Sequence, residues 1–257
     1  MALSESLAHS PVALPALVGC VFLLAGLVKG MVGMGLPTVA LGLLALWMAP
    51  AEAAALLVVP SLVTNLWQMQ PWGRLASMLR RLWRMQAGVV AGTVGGAWAF
   101  GALGGAWAPV ALGVALIAYA AWSLAGRRLV VTPAAEPVLG PLVGAATGLV
   151  TATTGVFVLP AVPYLQALRW QSDELIQAMG ISFTVSTLAL AAGLQFGAAV
   201  PDMPWLLSLA MLVPALAGMG LGAALRRRLA PAVFRRCFLL GLLALGAHMV
   251  LRELLRG

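Results

Sequence analysis

Lys29-Gly30-Met31-Val32-Gly33-Met34-Gly35-Leu36-Pro37 interrupts an apolar run that reaches from about Val12 to Met48. Lys29 is the only lysine of the chain, and the remaining long basic side chains are all arginines. An ammonium among leucine and valine costs about 3 kcal/mol at bilayer depth unless something uses it. The stretch has an echo about 122 positions later. Gly26-Leu27-Val28 returns as Gly148-Leu149-Val150, Gly33 as Gly155, and Pro37, with one residue inserted, as Pro160.

Composition sets the solvent. Of 257 residues, 62% are hydrophobic and 9% charged, against roughly 25% charged in soluble domains. Too little polar surface remains to cover a water-exposed globule, so the chain reads as an all-α integral membrane protein. The net charge of +8 is not a nucleic-acid footprint, because the arginines fall between apolar runs without a basic stripe or interleaved aromatics. Cys20 and Cys237 read as buried thiols without metal-ligand spacing. Residues 1–10 hold Glu5 and no basic segment, so the first apolar run is expected to be retained.

Two halves follow the same plan. Residues 1–126 form a first membrane repeat, 127–137 a polar linker with Arg127, Arg128, Pro133, Glu136 and Pro137, and 138–257 a second repeat. Trp47 matches Trp170, Ala108-Pro109 matches Ala230-Pro231, and Gly92 to Gly96 matches Gly218 to Gly222. Equivalent connections carry opposite charge. A loop with Arg74, Arg80, Arg81 and Arg84 answers to one with Asp202, and the uncharged Gly104–Trp107 loop answers to Arg226, Arg227 and Arg228. Under the positive-inside rule that is the pattern of an inverted repeat, with both termini periplasmic. The expected architecture is a duplicated, inverted helical bundle of about eight to ten membrane segments.

Length decides how each half begins. The first run, ~37 residues, is ~55 Å of helix, and its counterpart from Val138 to Leu168 only ~46 Å. Two crossings need about 60 Å before any turn. Each half is therefore expected to open with a short or broken hairpin that turns inside the membrane, the two tips entering from opposite faces and meeting near the midplane. Non-helical backbone at that depth must line a cavity or be covered by protein. Gly30, Gly33 and Gly35 supply the required dihedrals and free N–H groups, and Pro37 suits the first turn of the next helix. With the partial positive charge of that helix start and the Lys29 ammonium, they point to an anion. Thr151, Thr153 and Thr154 would add hydroxyl donors beside Gly155, and Asn65 would project from the following helix.

Plainer readings stand beside this one. Lys29 snorkels to an interface if the first run crosses twice. Glycines four apart suit close helix packing, Trp47, Trp72, Trp83 and Trp170 suit interfacial anchoring, and Ser61, Thr64, Asn65 and Gln68 suit helix–helix hydrogen bonds as well as a polar pathway. Enzyme chemistry is poorly provided for. The histidines are His9 and His248, and the seven acids, Glu5, Glu52, Glu136, Asp173, Glu174, Asp202 and Glu253, map to termini, loops or segment edges. No catalytic, metal or cofactor site is expected.

At Gly26-x-x-Lys29-Gly30-x-x-Gly33-x-Gly35-x-Pro37, at the weaker copy from Gly148 to Pro160 and in the duplicated layout, the chain resembles the TauE/SafE family of bacterial permeases, linked to export of sulfite and organosulfonates. The resemblance implies an inner-membrane permease for a small sulfite-, sulfonate- or carboxylate-type anion. Its partners would be that anion and the lipid bilayer, not nucleic acid, and a homodimer is compatible with the sequence. An anion channel and a non-transporting assembly protein are the alternatives. The second half departs from the pattern where threonines replace a glycine cluster.

Overall fold

The computed structural model describes residues 13–101, 103, 105, 107–126, 129–196, 204–226, 228 and 231–255. Glu5, His9, Gly104, Arg127, Arg128, Asp202, Arg227 and Ala230 lie outside them. Among the described residues every element is helical. The first half holds α1 (Ala13–Val32), α2 (Leu36–Leu44), α3 (Pro50–Gln68), α4 (Leu75–Phe100) and α5 (Ala108–Ala125). The second holds α6 (Glu136–Thr154), α7 (Ala161–Ala167), α8 (Ser172–Phe196), α9 (Trp205–Ala210), α10 (Leu212–Leu225) and α11 (Pro231–Leu254).

Seven helical stretches are long and apolar enough to cross a membrane: α1, α3, α5, α6, α8, α9 with α10 as one run, and α11. This is a multi-pass membrane protein. The hairpins that open the two halves have unequal arms. Helices α1 and α6 run 20 and 19 residues, about the 30 Å of a hydrocarbon core. Their return arms α2 and α7 have nine and seven residues and reach only about 10–14 Å.

Two expectations need correction. Arg80, Arg81 and Arg84 are not in a loop but in the first turns of α4, because Met78, Leu82 and Met85 recur at helical spacing and bury one face. Cys20 and Cys237 are exposed on their helices rather than buried, since each falls on an outward face.

The most extensive helix packings join the halves: α4 with α6, α1 with α10, α5 with α11, and α3 with α8. Glycine sets their distance. A Cβ on Gly26 or Gly30 would sit 2.2 Å from the carbonyl oxygen of Ala215 or Met219 on α10, and one on Gly88 or Gly92 would sit 2.4 or 2.1 Å from that of Pro141 or Ala145 on α6. Numbers rise together in both pairs, so these helices run parallel. The other two pairs run antiparallel. Gly113 of α5 lies against Val250 of α11 and Ile117 against Gly246; Gly180 of α8 lies against Gln68 of α3, whereas Thr187 and Leu190 share a small cavity with Leu57 and Ser61.

Helices α3 and α8 start alike. The Ala49 N–H donates to Glu52 at 3.3 Å, and the Gln171 N–H to Glu174 at 3.2 Å, so these two acids cap α3 and α8. Most of the described arginines gather at one end of the bundle. Arg74 lies 4.0 Å from Glu174, Arg81 clasps Glu136 through two hydrogen bonds and stacks on Trp170 at 4.8 Å, and Arg169 and Arg235 line one cavity. Arg252 is at the other end, its guanidinium donating to the Leu46 carbonyl at 3.2 Å.

Candidate functional site

Helices α1 and α6 stop the same way. The Gly33 N–H bonds the Lys29 carbonyl at 2.8 Å and the Gly155 N–H bonds the Thr151 carbonyl at 2.8 Å. Both glycines are left-handed, with φ of 82° and 69°, a conformation that side chains with a Cβ avoid. Gly35, at φ 106°, then starts α2 with Pro37 in its first turn. The two tips overlap side by side. Gly33 is held by the Gln68 side-chain amide at the end of α3, and Gly155 lies beside Leu57 and Ser61, two to three turns back along the same helix. Pro37, Ser61, Gly155, Phe157 and Thr187 close on a void of ≈ 10 Å³, room for about one water.

Lys29 sits in the last turn of α1 and is 2% exposed. Its ammonium donates to Thr64 Oγ1 at 3.0 Å and to Asn65 Oδ1. Both acceptors are neutral, and no acidic side chain pairs with Lys29 among the described residues. Thr64 in turn donates to the Pro60 carbonyl at 2.6 Å, which leaves its oxygen free to accept from the ammonium. Proline at position 60 is what opens this stretch of α3. It has no N–H for the Leu56 carbonyl, and Ser208 of α9 supplies the missing donor, its hydroxyl lying 2.8 Å from the Leu56 oxygen while accepting from the Val59 N–H at 3.2 Å.

Several buried polar atoms of α3 and α8 have no protein partner: Asn65 Nδ2, which belongs to a Lys29 partner, Ser61 Oγ, Gln68 Oε1 and, on α8, Ser186 Oγ. Buried polar groups are ordinarily satisfied. The Lys29 ammonium without a counter-charge and the Asn65 amide N–H pair without an acceptor form a cluster that lacks an acceptor, whereas Gln68 Oε1 lacks a donor. Ser61, Thr64, Asn65 and Gln68 stand at i, i+3, i+4 and i+7, one face of one helix.

The sequence-predicted residues divide accordingly. Lys29 and Asn65 are in direct contact, Gly33 and Gly35 form the first tip, and Gly155 forms the second. Gly30 is inside α1, against α10, and exposes no backbone donor. Thr151, Thr153 and Thr154 donate to the carbonyls of Thr147, Leu149 and Val150 at 2.7, 3.0 and 2.6 Å, so their protons are engaged within α6. Thr154 also accepts from the Val156 N–H at 3.1 Å, capping the second tip. Thr64 and Ser61 carry more of the cluster than the α6 threonines, and the helical spacing of the α3 polar residues is the signal that marks them.

A family model described as Sulfite exporter TauE/SafE matches residues 18–249, nearly the whole chain. No curated protein and no solved structure matches.

Proposed function

The chain belongs to the sulfite exporter TauE/SafE family, a family of membrane transporters, and from that premise we propose that it carries a small oxyanion of sulfite, sulfonate or carboxylate type across the bacterial inner membrane. The anion binds against Lys29, between the overlapped tips, with Asn65 and Ser61 as further donors. The uncompensated, buried ammonium beside the unpaired Asn65 amide is the observation that carries this reading. A substrate without acceptor oxygens would leave these donors unsatisfied, at about 1–3 kcal/mol each, and a neutral one would leave the Lys29 charge unbalanced.

The ≈ 10 Å³ void between the tips is too small for any oxyanion. Binding therefore requires the tips to separate, which fits a carrier that opens to one face at a time. The inverted-repeat reading is supported by the packing. The α1–α10 contact is the counterpart of α4–α6, whereas α3 meets its own counterpart α8, and α5 its own counterpart α11, antiparallel.

The test is saturable flux by the purified protein in proteoliposomes, run against sulfite, thiosulfate, taurine and acetate. At least one should be transported and should accelerate exchange from the opposite side. Flux of none, or flux that Lys29→Ala leaves unchanged, removes the assignment.

A further inference from the structure

Two cavities flank the hairpins at opposite ends of the bundle. The first, ≈ 640 Å³, lies between α5 and α7 and is lined by Tyr119, Trp122, Ser123, Gln166, Arg169 and Arg235. The second, ≈ 560 Å³, lies between α2 and the end of α11 and includes Trp47, Leu103, Arg252 and Glu253. Both fall within the roughly 300–1,000 Å³ of small-molecule sites, and each abuts a tip. The Tyr119 hydroxyl forms the inner wall of the first, 3.1 Å from the sulfur of Met34, between the left-handed Gly33 and Gly35. Leu103 lines the second, and its N–H bonds the Ala152 carbonyl at 3.3 Å, one turn before Gly155.

Their charges differ. The first cavity presents two arginines and no acid, and neither arginine forms an ion pair among the described residues. The second presents one arginine and one glutamate. A cleft of one sign with low-dielectric walls concentrates ions of the other sign, and guanidinium forks match oxyanions in geometry as well as charge.

We propose that the Arg169–Arg235 cavity is a capture vestibule, a second and weaker oxyanion site from which the anion passes by Tyr119 to the first tip, and that the Arg252–Glu253 cavity is the neutral mouth opposite. The proposal rests on the transport reading above. It concerns entry from one face, because the net direction of a passive carrier still follows the gradient.

The test is sulfite binding to the purified full chain, followed as quenching of Trp122, isolated by difference against Trp122→Phe. The unsubstituted protein and Lys29→Ala should both show it, with an affinity that falls as salt rises, since both arginines face solvent. Arg169→Gln with Arg235→Gln should weaken it at least about tenfold, and the corresponding double lysine substitution, which keeps both charges, should recover most of the loss. Unchanged quenching in the glutamine pair overturns the proposal. Quenching by a short-chain phosphatidylglycerol with none by sulfite overturns it too, by assigning the arginines to a lipid headgroup. Absent flux in unsubstituted vesicles, with the quenching intact, sinks the transport reading and with it the role of vestibule, and leaves only the oxyanion site between the arginines.

Discussion

Lys29 and Ser208 show two uses of a buried polar side chain. Lys29 bonds two neutral acceptors and keeps an unbalanced charge, so its removal should cost affinity more than fold. Lys29→Ala should weaken anion binding at least about tenfold, near 1.4 kcal/mol. Lys29→Arg should retain part of the affinity, and membrane levels of both should match the parent; equilibrium binding and quantitative blotting read the two effects separately. Ser208 is different, because it repairs a backbone carbonyl that Pro60 leaves without a donor. Ser208→Ala should lower thermal stability in detergent by about 1 kcal/mol, while Pro60→Ala in the same protein should recover it by restoring the donor within α3.

Among the elements, parallel helix pairs with small residues at the seam hold the hairpins' long arms to the rest of the bundle. The contact is tight at some glycines of α4 and open at others. A Cβ at Gly92 would meet the Ala145 backbone at 2.1 Å, but one at Gly95 would meet nothing within 4 Å. Gly92→Ala should therefore force α4 and α6 apart and destabilise by about 1–3 kcal/mol, whereas Gly95→Ala should be neutral or stabilise by roughly 0.5–1 kcal/mol through helix propensity. Equal melting temperatures for the two would show that the seam does not depend on close approach.

For the molecule as a whole, Arg74 and Arg81 of the first half and Arg169 and Arg235 of the second stand at one end of the bundle, with Arg252 at the other, and we propose the arginine-rich end as the cytoplasmic face. In a Cys20→Ser, Cys237→Ser background, Gly73→Cys and Arg228→Cys should label from the cytoplasm and Ala49→Cys from the periplasm. Labelling of Gly73→Cys from the periplasm alone would reverse the orientation. The energetics follow from where the acids are. Glu52 and Glu174 cap helices and Glu136 clasps Arg81, and no carboxylate pairs with Lys29 among the described residues. A proton-coupled carrier keeps an ionisable relay in its interior; the ionisable side chain at this site is Lys29, which must keep its proton to hold an anion, so we expect uniport. An anion leaving a cell that is negative inside is driven out by about 2.3 kcal/mol per 100 mV, which supports a roughly fiftyfold ratio for one charge. Flux in vesicles with potential and pH gradient clamped separately should follow the potential; flux that follows only the pH gradient would discard the idea.

By itself the sequence determined the solvent, the helical class and the positions where α1 and α6 stop. Those are local or compositional properties: too few charges for a water-exposed surface, and glycine at Gly33 and Gly155, where the chain takes a left-handed turn. It also marked Lys29, because a lone ammonium in an apolar run is conspicuous. The partners of Lys29 were less legible. Asn65 is 36 positions away, and Thr64, the other acceptor, differs from the α6 threonines only in which way α3 faces. Gly30 and Gly33 look alike in a glycine-rich motif, yet one packs against α10 and the other turns the chain, and only the neighbouring helix decides which. The run of Arg80, Arg81 and Arg84 resembles a loop until Met78, Leu82 and Met85 find a surface to bury against. Tertiary structure alone also made the overlap of the tips and the two unlike cavities, since the tips lie 122 residues apart in the chain and each cavity is closed by residues of separate helices that the packing brings together.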